Sequence, residues 1–113
     1  MNIDFDRALE WLRAHSMSFT PIHQTTRTYG FSLNDGRQIA IKPLKTQITV
    51  FAEPGNWELE ANPEWRMRKY SSSEGRSSNL KNCAPRLYVG NQVVSLALKS
   101  YDDFEKFISR YLA

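Results

Sequence analysis

The sequence predicts an α+β fold, with a mainly antiparallel sheet of about five strands and N- and C-terminal helices packed on one face. Helical periodicity of apolar residues is confined to the two ends of the chain, and short strand-like segments occupy the interior. Two turn sequences that contain glycine, Asn34-Asp35-Gly36 and Gly90-Asn91, separate pairs of these segments. The chain of 113 residues, 41% of them hydrophobic, is predicted to form a single domain, 1–113, around one core.

The first predicted element is an amphipathic helix over residues 4–15. Four apolar residues recur at the i, i+3, i+4 and i+7 spacing of a buried stripe: Phe5, Ala8, Leu9 and Leu12. Asp4 or Asp6 is expected to cap the N-terminus, because a carboxylate there accepts from free backbone N–H groups. The helix is expected to end near Ser16, before the β-branched and proline-bearing residues that follow.

Residues 25–33 and 37–42 are predicted to be two strands of a hairpin, because the sequence Asn-Asp-Gly between them adopts the positive φ angles of tight turns. Pro43 is expected to interrupt the ladder, since proline has no N–H to donate. A third strand is predicted from Thr46 to Phe51, where β-branched residues return. These strands would form a meander.

Trp57 and Leu59 are predicted to begin a fourth short strand after the Pro54-Gly55 turn. For residues 64–70 a strand and one or two helical turns both remain open, and the Ser-Gly stretch beyond them is predicted to be an exposed loop.

A second hairpin is predicted from Pro85 to Val89 and from Gln92 to Leu98. Its inner face is expected to carry Val94, Leu96 and Leu98. The last element is a helix capped by Ser100, with a buried stripe formed by Phe104, Phe107, Ile108 and Tyr111.

The charges are unevenly distributed along the chain, whose net charge is +3. Residues 53–64 contain four glutamates and no cation, whereas residues 65–81 contain five cations and one glutamate. This pattern predicts a surface with two signs of charge. The strand cations Arg27, Arg37, Lys42 and Lys45 would extend the basic surface if they project from the face opposite the helices, although strand lysines also protect sheet edges from aggregation.

The basic segment is the candidate binding site. It is predicted to hold nucleic acid or a phosphate-bearing partner without catalysis, because arginine and lysine neutralise phosphates, aromatic rings stack on bases, and serine hydroxyls and loop N–H groups bind anions. Trp65 is expected to be exposed. The candidate nucleic-acid- or anion-binding residues are Trp65, Arg66, Arg68, Lys69, Tyr70, Arg76, Ser77, Ser78 and Lys81.

Two other functions remain open from the sequence. Adjacent acidic and basic blocks can dock a protein of complementary charge, as in a small inhibitor, immunity or adaptor protein. A metal-dependent hydrolase would need Glu58 and Glu60, which share one face of an extended strand, to converge with Asp35 or Glu53. No catalytic residue, metal site or cofactor is predicted, and Cys83, His15 and His23 are expected to be structural or surface residues.

The composition is typical of a cytoplasmic protein with no membrane partner. No apolar run approaches the roughly 20 residues that span a bilayer, and the N-terminal residues contain acids where a secretory signal has cations. A single cysteine allows no internal disulfide, which fits a reducing compartment. A monomer and a homodimer both remain open, since an exposed sheet edge near Trp57 would allow two copies of the chain to pair.

Overall fold

A computed structural model describes residues 2–25 and 27–113 of the chain, and within them it contains one antiparallel sheet of six strands and three α-helices. The predicted α+β class is confirmed, with six strands where about five were expected. In chain order the elements are α1 (Ile3–Ala14), β1 (Phe19–Thr25), β2 (Thr28–Leu33), β3 (Gln38–Leu44), β4 (Gln47–Ala52), β5 (Arg66–Tyr70), α2 (Leu80–Cys83), β6 (Val93–Leu98) and α3 (Tyr101–Leu112).

The strands lie in the order β1-β2-β3-β4-β6-β5. The first four form a meander, and β6 pairs with β4 on one side and with β5 on the other, so that β1 and β5 are the two edges. The hairpin turn at Asn34-Asp35-Gly36 is confirmed: Gly36 has a φ of 93°, and the carboxylate of Asp35 accepts from the backbone N–H of Arg37 at 3.0 Å.

Both terminal helices pack on one face of the sheet, as predicted. Their apolar stripes share a core cluster with the inner residues of the strands, among them Val94, Leu96 and Leu98 of β6. Ser100 caps α3 as predicted, since its hydroxyl accepts from the N–H of Asp103 at 3.2 Å.

The predicted cap of α1 is wrong, because neither Asp4 nor Asp6 occupies the position before the helix. Asn2 does so: its side-chain oxygen accepts from the N–H of Phe5 at 2.9 Å. Its amide nitrogen donates to the carbonyls of Lys45 and Gln47, both at 2.8 Å, which ties the helix to the turn between β3 and β4. An uncharged amide can do both, whereas a carboxylate has no donor.

The opposite face of the sheet is partly covered by residues 71–92, called the cover segment below. It contains α2 and a 3₁₀ helix at Pro85–Leu87. The residues that join the cover segment to the sheet form a second apolar cluster: Ala40, Phe51, Leu80, Ala84, Leu87 and Val93. The Pro85–Val89 strand was therefore a wrong prediction, because Pro85 begins a 3₁₀ turn that directs Leu87 into this cluster.

Two other predictions differ from the structure, and one strand was not predicted. The strand at Trp57 is instead a 3₁₀ helix, Asn56–Glu60, in which Trp57 packs against α3 and its indole N–H donates to the carbonyl of Glu53 at 2.8 Å. Pro43 lies within β3 and does not interrupt it. Strand β1 was not predicted, because five of its seven residues are exposed and its register shifts between Pro21 and His23, which removes the usual alternation.

Candidate nucleic-acid interface

The six strands contain no aspartate or glutamate. Their cations are Lys42 in β3 and Arg66, Arg68 and Lys69 in β5. The exposed parts of the sheet therefore have a single sign of charge, unless a loop brings a carboxylate to them.

The register of β5 decides which of these cations share a face. Arg66 and Arg68 lie opposite Ala97 and Ser95 of β6, on the side of the sheet away from α1 and α3. Their predicted sharing of one face is confirmed. Met67 and Lys69 lie on the helix side, opposite Leu96 and Val94.

Lys42 lies on the same face as Arg66, in one cross-strand row. Thr49 pairs with Lys42, Ala97 pairs with Thr49, and Arg66 pairs with Ala97. Of the strand cations considered in the sequence, Lys42 therefore projects from the face opposite the helices. Arg37 and Arg27 do not, because Arg37 contacts the Tyr111 ring of α3 and Arg27 contacts the Phe5 ring of α1.

The cover segment leaves one end of this face open. It contacts β1 and β2, and it reaches β3 at Gln38, whose side chain accepts from the N–H of Arg86 at 2.8 Å. The residues at the other end of the face are half-buried or exposed. We call this area the open platform, and it consists of Lys42, Thr49, Arg66, Arg68, Ser95 and Ala97.

Arg66 and Arg68 differ in their surroundings. Arg66 is exposed, and no carboxylate within the described residues pairs with it. Arg68 donates to Glu74 of the cover segment at 2.8 Å, and its guanidinium carbon lies 4.4 Å from the centroid of the Tyr70 ring. The hydrogen bond between Arg68 and Glu74 raises the pKa of Arg68 and lowers the pKa of Glu74, so both are charged at neutral pH.

Lys69 does not reach the open platform. Its ammonium lies on the helix side, 3.3 Å from a carboxylate oxygen of Glu58, and both residues line a cavity of about 270 Å³ at the end of β5. Glu58 also accepts from the N–H of Gly55 at 2.9 Å. Glu58 therefore balances the positive charge of Lys69 on the helix side of the sheet.

Arg76 holds the cover segment together. Its guanidinium donates to five backbone carbonyls, which belong to Ser71, Glu74, Leu87, Tyr88 and Asn91. Because backbone carbonyls of the protein itself occupy its guanidinium donors, Arg76 stabilises the fold and offers few free donors to a ligand.

The predicted exposure of Trp65 is wrong, since only 4% of the residue is accessible. A turn closed by the bond from the Trp65 N–H to the carbonyl of Asn62, at 2.9 Å, precedes β5 and turns the indole toward α3. There its ring meets that of Phe107 at 6.3 Å and the guanidinium of Arg110 at 5.4 Å. The free energy gained by burying the large indole surface outweighs the tendency of a residue between the charged Glu64 and Arg66 to lie at the surface.

The remaining candidates lie on the covered side of the sheet. Tyr70 is half-buried against the second cluster, with Arg68 and Arg76 over its ring. The backbone carbonyl of Ser77 accepts from Leu80, and that of Ser78 accepts from Lys81, which starts α2. Lys81 is exposed on α2.

No group of three histidine, cysteine, aspartate or glutamate residues that could hold a metal occurs in the described part of the chain. Glu58 and Glu60 lie in a 3₁₀ helix, so the extended geometry that was to place them on one face is wrong. Asp35 and Glu53, the proposed third ligands, pair separately with Arg37 and Arg86, each at 2.7 Å.

Comparison with protein-family models, with curated proteins and with solved structures finds no match to this chain. Among the described helices, none is long and apolar enough to cross a membrane.

Proposed function

We propose that this protein is a non-enzymatic binding module that holds nucleic acid through the open platform. The observation that carries the proposal is the pairing register that brings Lys42, Arg66 and Arg68, from two distant parts of the chain, onto one accessible face without a strand carboxylate. Such a face attracts phosphates at long range and releases their counterions on contact.

The wider charge distribution supports the same face. Residues 65–99, which include β5, the cover segment and β6, contain seven cations and one acid. Helix α1 has three acids and two cations, helix α3 has three acids and two cations, and the 3₁₀ helix Asn56–Glu60 adds two glutamates. The helix side would therefore repel a polyanion and orient it toward the other side.

A salt titration tests the proposal directly. The affinity for a fluorescent DNA is expected to fall steeply as salt rises, and Lys42→Gln or Arg66→Gln should each reduce the slope of log K against log salt by about 0.9. Lys106→Gln, which removes an exposed cation from α3, is the matched control and should leave the slope unchanged. Absence of binding at low ionic strength would reject the proposal.

A second function is favoured by one specific observation. Arg68 and Lys69 are paired with Glu74 and Glu58, so part of the basic segment is already neutral, and both sheet edges, β1 and β5, lack a neighbouring strand within the described residues. Paired charges around an open edge suit a protein partner of complementary charge. A partner that stays bound after nuclease treatment of a native lysate would support this alternative over the first.

A further inference from the structure

We infer that the open platform binds double-stranded nucleic acid by its two phosphate backbones and not a single strand by its bases. This inference rests on the proposed function and narrows its ligand to a duplex. Two structural facts carry it: where the aromatic rings lie, and how far apart the cations of the platform stand.

The aromatic rings of this chain do not form a surface on which unpaired bases could stack. Proteins that hold single strands without sequence preference present exposed aromatic rings, and stacking of bases on these rings supplies much of their affinity. This chain contains three Trp, five Tyr and six Phe, all of them in the described residues, and every one of these side chains is buried or half-buried. The half-buried rings are already engaged by neighbours or clusters: Trp11, Tyr29, Tyr70 and Tyr88.

On the platform itself, the nearest rings are those of Phe51 and Tyr70. Phe51 is 5% exposed, and the ammonium of Lys42 lies 5.6 Å from its ring centroid. Tyr70 lies beneath Arg68. Neither ring offers a free face to a base, so binding energy has to come from phosphates and sugars.

The distance between Lys42 and Arg66 suits a duplex. Lys42 and Arg66 occupy one cross-strand row and are separated by three strand-to-strand steps, since β4 and β6 lie between β3 and β5. At about 4.8 Å per step their backbones stand about 14 Å apart. This separation is similar to the roughly 12 Å width of the major groove of B-DNA, across which two phosphate chains face a protein.

Only small side chains lie between Lys42 and Arg66 on the open platform. Thr49, Ser95 and Ala97 are small, so no long side chain between Lys42 and Arg66 keeps the two backbones of a duplex away from these cations. The hydroxyls of Thr49 and Ser95 can donate to phosphate oxygens, which positions a duplex without reading its sequence.

The test compares ligands of equal length on the intact protein. Fluorescence anisotropy measures binding to a DNA duplex of about two helical turns, to an RNA duplex of the same length, and to an unstructured single strand. At least one duplex is expected to bind about tenfold or more tightly than the single strand, and with a steeper salt dependence. Lys42→Gln and Arg66→Gln should each weaken duplex binding, because each removes contact with one of the two backbones.

The outcomes separate the two proposals. Equal or tighter binding of the single strand would overturn the duplex inference and leave the proposed function standing. If neither duplex nor single strand binds at low salt, the proposed function itself is wrong. If Lys42→Gln has no effect on duplex binding while Arg66→Gln does, one backbone alone is held, which also overturns the inference; urea unfolding of each variant shows that the fold is retained.

Discussion

Gly30 lies directly beneath the main-chain carbonyl of Cys83, so closely that a Cβ added to Gly30 would stand 1.7 Å from that oxygen. Gly30 belongs to β2 and Cys83 ends α2, so this contact sets the distance at which the cover segment rests on the sheet. The thiol of Cys83 adds a bond to the carbonyl of Thr28 at 3.4 Å. Glycine is required here for the space, since its φ is not in the left-handed region.

Gly30→Ala should therefore destabilise the protein. The backbone of α2 must move away from the sheet to admit the methyl group, and we expect the free energy of unfolding to fall by about 3 kcal/mol. Urea denaturation measures it. Gly75→Ala is the matched control, because Gly75 lies in the same cover segment with open space around it, and it should change stability by less than about 0.5 kcal/mol. Equal effects of the two substitutions would contradict the close contact.

Arg76→Lys should loosen the cover segment despite keeping the charge. An ammonium group cannot serve the five carbonyls that the guanidinium reaches, so we expect a loss of about 1–3 kcal/mol and faster amide exchange in residues 71–79. Hydrogen exchange followed by mass spectrometry measures the exchange rates of these amides. Lys81→Gln removes an exposed cation from the same segment and serves as the control. Unchanged exchange in Arg76→Lys would show that these bonds do not hold the segment.

The elements that the sequence predicted well are those whose signals are local. Helix α3 has its cap and its apolar stripe within thirteen consecutive residues, and the β2–β3 turn needs only Asn34-Asp35-Gly36. Strand β1 was missed because an exposed edge strand with a bulge has no apolar period to detect.

The candidate site was predicted less well, because its geometry depends on contacts between distant residues. Charge and spacing placed Arg66 and Arg68 on one face correctly, since alternation is a local property of strands. Whether Trp65 was buried depended on Phe107 of α3, which lies 42 residues later (107 − 65), and the role of Arg76 depended on carbonyls up to 15 residues away. Neither of these contacts leaves a signal in the neighbouring sequence.

Trp65→Ala tests the structural role of the indole against a stacking role. Loss of a buried tryptophan under α3 should lower the free energy of unfolding by about 3–5 kcal/mol. Trp65→Phe keeps most of the packing and, since the indole N–H has no partner among the described residues, loses no hydrogen bond there. We expect folded Trp65→Phe to bind nucleic acid as the parent does. Weaker binding by a variant of near-normal stability would indicate that the ring contacts the ligand.

Asp35→Asn isolates the charge at the β2–β3 turn. The backbone N–H of Arg37, followed by its guanidinium, lowers the pKa of Asp35 below its unfolded value of about 3.9. Stability from this carboxylate is therefore complete above that value and is lost as the pH falls through the lowered pKa. Because Asp35 is exposed and Arg37 is half-buried, solvent screens the pair, and Asp35→Asn should cost about 0.2–1 kcal/mol at neutral pH.

Urea unfolding of both proteins from neutral pH to strong acid checks this prediction. Asn-Gly suits the same turn, so the substitution changes the charge and preserves the loop conformation. The difference between the two proteins should disappear in strong acid, when Asp35 is protonated. A difference that does not depend on pH would mean that the charge of Asp35 contributes nothing.

Glu74→Gln should tighten nucleic-acid binding, because the carboxylate of Glu74 occupies the guanidinium of Arg68 on the open platform. Its pKa is lowered chiefly by that hydrogen bond, so the competing negative charge is present throughout the neutral range. The pair is exposed and screened by water, so its removal should tighten binding only modestly, by less than about tenfold. Anisotropy titrations at two salt concentrations measure the gain.

Glu58→Gln is the control that separates this local effect from a change in net charge. It adds the same unit of positive charge, but it releases Lys69, which lies on the helix side of β5. A ligand held on the open platform should gain little from it, since the freed ammonium is separated from the ligand by the sheet. Equal tightening by the two variants would mean that the ligand responds to overall charge, and the assignment of binding to one face of the sheet would then fail.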